Sequence, residues 1–293
     1  MEKALTYTII AGSKACYNNC PICISKMTPD YSMDCRLPEV NWKKFDEATT
    51  VALNHDAKNV LITGKGEPTI FPAQITKYLI KIYGKPFDKR ELQTDGSLLA
   101  NGGRLYDEFL DVWRELGLNT VAVSIYHYDR KKNREVFGPN DNSFVDLQKL
   151  IEKNNSKDLN TRLSCVMLKN YIDSVEEVKK LIQFAKENNV YQLTLRSADR
   201  PKNSLDEEVA KYVDNNRLGG KKMQEIHDFL KKEGALCDKL PHGALVYEVD
   251  GQNVCMTTGL TYDSGEEKIR QLIFFPQGRL TTSWENVQGG RLL

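Results

Sequence analysis

Three cysteines in the run Cys16-Tyr-Asn-Asn-Cys20-Pro-Ile-Cys23 are the side chains whose type and spacing most restrict the chemistry open to this chain. Iron–sulfur clusters are held by cysteine thiolates, ordinarily four of them. Three in C-x3-C-x2-C spacing on one short loop can hold three corners of a cubane cluster and leave the fourth iron open to a small molecule. Zinc would want four tetrahedral nitrogen or sulfur ligands in paired groups, and no second C-x-x-C or H-x3-H follows. A thioredoxin-like pair could use Cys20 and Cys23, yet has no need of Cys16. Three inert thiols gathered on a polar loop are the remaining alternative.

The elements that must carry such a loop alternate along the chain. Short runs rich in Val, Ile, Leu, Thr or Tyr predict strands at residues 5–11, 59–63, 90–93, 120–125, 161–168 and 191–195. Between them lie amphipathic segments. Leu105, Phe109, Val112, Trp113 and Leu116 fall on one helical face, and Trp42, Phe45, Ala48 and Ala52 on another, after a helix-starting Pro38. Ser174 with Glu177, and Ser204 with Glu207, read as capping boxes, the second opening a helix to about Lys232. Such β/α units predict a parallel sheet whose right-handed crossovers curl it into a barrel or part of one. Residues 244–249, 254–257, 271–275 and 279–282 then read as short strands separated by Asp250-Gly251, the Gly265 stretch and Pro276-Gln277-Gly278. The expected organisation is an α/β barrel over residues 1–234 and a small β-rich C-terminal extension over 235–293.

Composition narrows the partners. The net charge is +1, without the basic surplus expected of a protein that grips long nucleic acid. No apolar run approaches a membrane span, and Met1-Glu2-Lys3-Ala4-Leu5 lacks a signal-peptide core. The seven cysteines are odd in number and lack framework spacing, which argues for a reducing compartment and a cytoplasmic protein.

The cysteine loop resembles that of the radical S-adenosylmethionine (SAM) enzymes, and further segments support the likeness. Thr63-Gly64-Lys65-Gly66-Glu67-Pro68, after the second predicted strand, resembles the Gly-Gly-Glu-Pro motif of that family, with Lys65 between the glycines. The glycines permit close backbone approach to SAM, and Pro68 fixes the turn. Gln93-Thr94-Asp95-Gly96 resembles the family's Thr-Asn-Gly segment, with Asp95 in place of asparagine. The resemblance implies a partial (β/α)6 barrel, a 4Fe–4S cluster on Cys16, Cys20 and Cys23, and SAM chelated by the open iron. SAM would be contacted by Gly64, Lys65, Gly66, Glu67 and Pro68, by Thr94 and Ser124, and by Ile22 where the family often has an aromatic residue. Arg162 or Arg196 could pair with its carboxylate, since guanidinium suits bidentate binding. For each of these polar residues an ordinary strand-end contact is the competing reading. The implied reaction is reductive cleavage of SAM to methionine and a 5′-deoxyadenosyl radical that abstracts hydrogen from a substrate, with a reductant such as flavodoxin or ferredoxin as partner.

The substrate is less constrained. A small molecule or nucleotide fits a neutral chain, a peptide or protein substrate (including the glycyl-radical-activating type) is the alternative, and a non-catalytic metal-binding module is the other class. Tyr126 and His127, past the fourth predicted strand, are substrate-contact candidates, with a structural histidine as the competing reading. His55, His227 and His242 show no metal spacing, and Cys35, Cys165, Cys237 and Cys255 are too scattered for a second cluster of the usual kind. Trp284 and Gly289-Gly290 could form a lid or merely cap a sheet edge.

Overall fold

The fold is that of a computed structural model, which describes residues 2–31, 33–34, 36–139, 145–240, 243–257, 268–285 and 292. In chain order its elements are β1 (Lys3–Ile10), α1 (Ile24–Met27), α2 (Trp42–Asn54), β2 (Asn59–Thr63), a 3-10 turn (Pro68–Ile70), α3 (Pro72–Ile82), β3 (Lys89–Thr94), α4 (Ser97–Asn101), α5 (Gly103–Glu115) and β4 (Thr120–Ile125). There follow α6 (Arg130–Phe137), α7 (Leu147–Ser156), β5 (Asn160–Met167), α8 (Val175–Glu187), β6 (Gln192–Ser197), α9 (Glu207–Asn216) and α10 (Gly220–Glu233). The last strands are β7 (Ala235–Lys239), β8 (Leu245–Val249), β9 (Gln252–Thr257), β10 (Lys268–Phe274) and β11 (Leu280–Thr281).

Strands β1 to β6 lie side by side in chain order and run parallel, as successive β/α units require. Their alternation separates two faces. Leu92, Val121, Val123, Leu163, Cys165, Leu193 and Leu195 are buried in the main core with helix residues such as Leu110, Trp113, Leu150, Leu181 and Ile182. The opposite face is polar. On it the Arg162 Nε donates to Glu91 Oε2 at 3.0 Å and Nη1 to Thr194 Oγ1 at 3.1 Å, a bond network across β3, β5 and β6. Lys89 adds a second cation 2.9 Å from Glu91.

The six expected strands form, those at 59–63 and 120–125 with the expected ends and the other four with ends shifted by one or two residues. Three helix expectations change. Helix α2 starts at Trp42 rather than near Pro38, because the Asn41 side chain accepts from Lys44 N and makes the cap. On α5 the buried face is Tyr106, Leu110 and Trp113, while Leu105 and Val112 are exposed. The Tyr106 hydroxyl donates to Thr69 O at 2.7 Å and the Trp113 Nε1 to Thr76 Oγ1 at 2.8 Å, so two polar hooks set the helix rotation. The single helix expected from Ser204 is two. Asp206 caps α9 by accepting from Val209 N, and the extended backbone at Gly219 separates α10.

The tail strands join the same sheet, whose order among the described residues is β11-β10-β1-β2-β3-β4-β5-β6-β9-β8-β7. Strand β9 pairs parallel with β6, and β10 pairs parallel with β1, so the tail adds to both edges of the six-strand array. Two of the expected hairpins are present: β8 and β9 turn at Asp250 and Gly251, both at positive φ, and β10 and β11 are antiparallel; β9 and β10, on either side of the Gly265 stretch, instead pair with β6 and β1 at opposite edges. Strand β7, exposed at every position, had no signal in the sequence. The Gly265 stretch, Gly289-Gly290, His242 and Cys35 lie outside the described residues.

Candidate cofactor site

The site is built at the C-terminal ends of the first four strands, where parallel β/α folds place their chemistry. The chain leaves β1 through Ala11, whose N–H donates to Thr63 O, and turns at Gly12, at φ +74°. The segment after β2 then grips the loop that follows. Gly66 N donates to Ser13 O and Glu67 N to Ala15 O, each at 2.9 Å. A Cβ on Gly66 would lie 2.1 Å from Ala15 O, so no other residue lets these two backbones meet. The space that glycine leaves is therefore filled by the run leading into Cys16.

Glu67 joins this pair of loops to β3. Its Oε1 accepts from Thr69 N at 2.9 Å and from Thr94 Oγ1 at 2.6 Å, and its Oε2 from Asp95 N at 2.8 Å. Burial and then the Asp95 charge push the Glu67 carboxyl upward, against the pull of these donors. Asp95 in turn accepts from Ser97 N at 2.7 Å and from Asn18 Nδ2 at 2.6 Å, and Asn18 sits between Cys16 and Cys20. One bonded unit thus runs from the cysteine loop through 64–68 to the end of β3. Pro68 opens the buried turn behind Glu67.

The three thiols are free, with Cys16 exposed and Cys20 and Cys23 half-buried. Ile22 is buried under the loop with Met27, Tyr126, Val136 and Phe137. Asn19 N donates to Phe137 O at 3.0 Å, so the end of α6 props the loop from below. Desolvation by the surrounding chain raises the Cys16 and Cys20 thiols to about 12 each, although part of Cys16 reaches the surface. Metal loading must therefore displace their protons. Among the described residues no three His, Cys, Asp or Glu side chains meet around a single ion. Thiolates at the corners of a cube surround a body several atoms wide and have no need to converge so closely.

The other candidates divide. Tyr126 is buried with its hydroxyl against the Cys20 thiol and its ring centroid 4.8 Å from that of Phe137. Ser124, two residues earlier on the polar face, is half-buried, and its hydroxyl makes no hydrogen bond with a described residue. His127 is turned elsewhere. Its Nδ1 accepts from Asp129 N at 2.8 Å, and its Nε2 is 3.4 Å from Glu177 on α8. Arg162 lies near the start of β5, far along the strand from the loops, and is held by Glu91 and Thr194. Arg196 lies at the loop end of β6, half-buried, its pKa lowered by burial and by Arg162. Cys165 and Cys255 are buried in strands and Cys237 is exposed on β7, all outside the bonded unit around the loop. Sequence reasoning missed Asn133, whose Oδ1 accepts from Tyr126 N at 2.8 Å, and Thr28, which receives Lys65. Neither belongs to a spacing that a motif could reveal.

A mostly parallel α/β sheet that gathers a thiol triad and a glycine-rich turn at its strand ends is a cofactor-binding fold. A family model for the radical SAM superfamily matches residues 10–185, and the chain belongs to that superfamily. Solved structures share the fold. Streptococcus suis SuiB bound to S-adenosylmethionine matches at TM-score 0.64 and 16% identity over 99% of this chain. A radical SAM methyltransferase from Sphaerobacter thermophilus matches at TM-score 0.56 and 11% identity, over 86% of this chain and 66% of its own. Methylornithine synthase (PylB) matches at 0.53 and 12%, over 90% of this chain and 74% of its own. This chain spans 63% of the length of SuiB. No protein of curated function matches it. Among the described residues no helix is long and apolar enough to cross a membrane.

Proposed function

We propose that this chain is a radical SAM enzyme that holds a 4Fe–4S cluster on Cys16, Cys20 and Cys23 and acts on a small-molecule or nucleotide substrate. When bound, the cluster supplies the electron that cleaves SAM to methionine and a 5′-deoxyadenosyl radical. The observation that carries this reading is the bonded unit itself: the 64–68 segment clasps the backbone leading to Cys16, and Glu67 and Asp95 fasten that clasp to β3 and to Asn18. The residues fit the group, since three free thiols share one loop whose underside is packed by Ile22, Met27 and Phe137. Exclusion of water from beneath that loop suits a reactive carbon radical.

The other residues have bounded roles. Thr94 and the backbone of Gly64, Lys65, Gly66 and Pro68 border the site, and Ser124 offers a hydroxyl with no partner among the described residues. Arg196 is the better placed of the two arginines for a SAM carboxylate, because it lies at the loop end of β6 whereas Arg162 lies near the start of β5. The polar sheet face below, with Ser124, Ser164, Thr194 and Arg196, suits a small polar substrate. A cytoplasmic flavodoxin or ferredoxin is the proposed electron donor, since the cysteines outside the loop are scattered.

The test is anaerobic reconstitution, counting iron and sulfide, and then assay of 5′-deoxyadenosine with dithionite and SAM. About four irons per chain and SAM cleavage, both lost when the three cysteines become alanine, are expected. Full iron in that triple variant would overturn the assignment.

A further inference from the structure

Lys65 is the residue by which the turn after β2 departs from paired glycines, and its side chain has an unusual position. It is 4% exposed, and its Nζ donates to Thr28 Oγ1 at 2.7 Å and to Thr28 O at 3.2 Å. Thr28 ends α1, the short helix that begins directly after Cys23, and its hydroxyl donates in turn to Ile24 O at 2.9 Å. The ammonium is thus bonded to the end of the short helix that follows Cys23. An ammonium has three donors and no acceptor, and Lys65 uses two on neutral oxygens. Among the described residues no carboxylate is in ion-pair contact with it. Asp30, the nearest acid in charge terms, is held by Lys14 at 2.6 Å, and Glu67 points its carboxylate at Thr69, Thr94 and Asp95.

A buried cation without a counter-ion is costly, and buried charges are normally paired or bound to a metal centre. Burial lowers the Lys65 pKa to about 8, and the Cys23 sulfur is the first of the groups that draw it back up. At neutral pH the nitrogen is mostly protonated, and the site beside it takes up anions when loaded. A 4Fe–4S cluster on three thiolates is negative, and one-electron reduction makes it more so. We infer that the Lys65 ammonium is the counter-charge of the cluster: it fastens the Cys23 end of the loop through Thr28 and favours the reduced over the oxidised cluster. Cluster potentials respond to net charge and hydrogen bonding around the sulfurs. This inference rests on the proposed function, and it assigns Lys65 to the cluster rather than to SAM.

Two variants separate charge from fastening. Lys65→Gln keeps a donor for Thr28 and removes the charge, whereas Lys65→Arg keeps both. Each is reconstituted anaerobically without SAM, its iron counted, and its cluster titrated with redox dyes while the reduced-state electron-paramagnetic signal is followed. The midpoint should move to more negative potential in Lys65→Gln and stay near that of the parent in Lys65→Arg. Loss of iron in Lys65→Gln with retention in Lys65→Arg would carry the same conclusion. A parent-like midpoint in an iron-replete Lys65→Gln protein, equal shifts in both variants, or loss of iron from both would overturn it. Failure of the parent chain to take up iron would instead overturn the proposed function.

Discussion

At Gly66 a single methyl group decides whether two loops can meet. Its added Cβ would fall 2.1 Å from Ala15 O and 2.7 Å from the Lys14 carbonyl carbon, both backbone atoms that no rotamer change can move. Gly66→Ala is therefore expected to displace the run into Cys16, and the reconstituted protein should retain less iron than the parent. Normal iron content with weakened SAM binding would show that the glycine serves the ligand instead. Glu67 makes a second prediction at this scale. Both of its oxygens accept from backbone N–H groups, of Thr69 and Asp95, which cannot reverse their role. The amide of Glu67→Gln must turn one NH2 group toward a donor, which costs about 1–3 kcal/mol, read as a lower urea midpoint. The cysteine triad and the Gly-x-Gly-Glu-Pro turn were legible because their chemistry demands fixed residue types at fixed spacing. Asn18, Thr28 and Asn133 were not, since each acquires its role from a partner distant in sequence or across a turn.

Between elements, the Glu91–Arg162 pair ties β3 to β5 on the polar face, although β4 lies between them. Burial alone would raise the Glu91 carboxyl, but Arg162 and Lys89 overcome it and hold the pKa at about 2 against an ordinary 4.5. A carboxyl depressed on folding contributes stability that is complete above its unfolded pKa and is lost as pH falls through the folded one. Stability should therefore decline from about pH 4.5 toward pH 2. Glu91→Gln strands the Arg162 guanidinium, which costs about 3–5 kcal/mol for a broken buried pair. Its urea midpoint should be lower at pH 7 and flatter between pH 5 and 3 than that of the parent; parallel curves would exclude the pair as the cause. A neighbouring helix shows what local sequence can settle. Ser174 caps α8 by accepting from Glu177 N at 3.3 Å, as its spacing implies. The α5 face was misread by one position, about 100° of rotation, because Tyr106 enters the core through a hydrogen bond that periodicity does not register.

For the whole molecule, the C-terminal strands matter through where they pair. Strand β10 matches β1 from Lys3↔Lys268 to Ile9↔Phe274, and the Phe274 ring meets that of Phe45 edge-on at 5.2 Å. Ile273 and Phe275 pack with Ile10 and Met33 at the strand end from which the cysteine loop departs. The hairpin turns were readable from Asp250-Gly251 and Pro276-Gln277-Gly278, but nothing local says which edge a short strand will join, because that choice is made by contacts some 260 residues apart, as between Thr8 and Gln271. Ending the chain after Thr257 would remove β10 and β11 together with the fully buried Leu272, Phe274 and Leu280, bare the edge of β1 and expose the core residues they cover, among them Phe45. An uncovered edge strand next to an opened core favours self-association. The shortened chain is thus expected to lose cooperative unfolding by circular dichroism and to aggregate, and not merely to lose turnover. Ending it after Pro276 keeps β10 and takes away Leu280 and Trp284. Truncating a buried leucine costs about 2–5 kcal/mol, so this chain should fold with a lowered midpoint and still take up iron. A Thr257-terminated protein that unfolds cooperatively and binds a full cluster would show that β1 to β6 hold the loop without the tail.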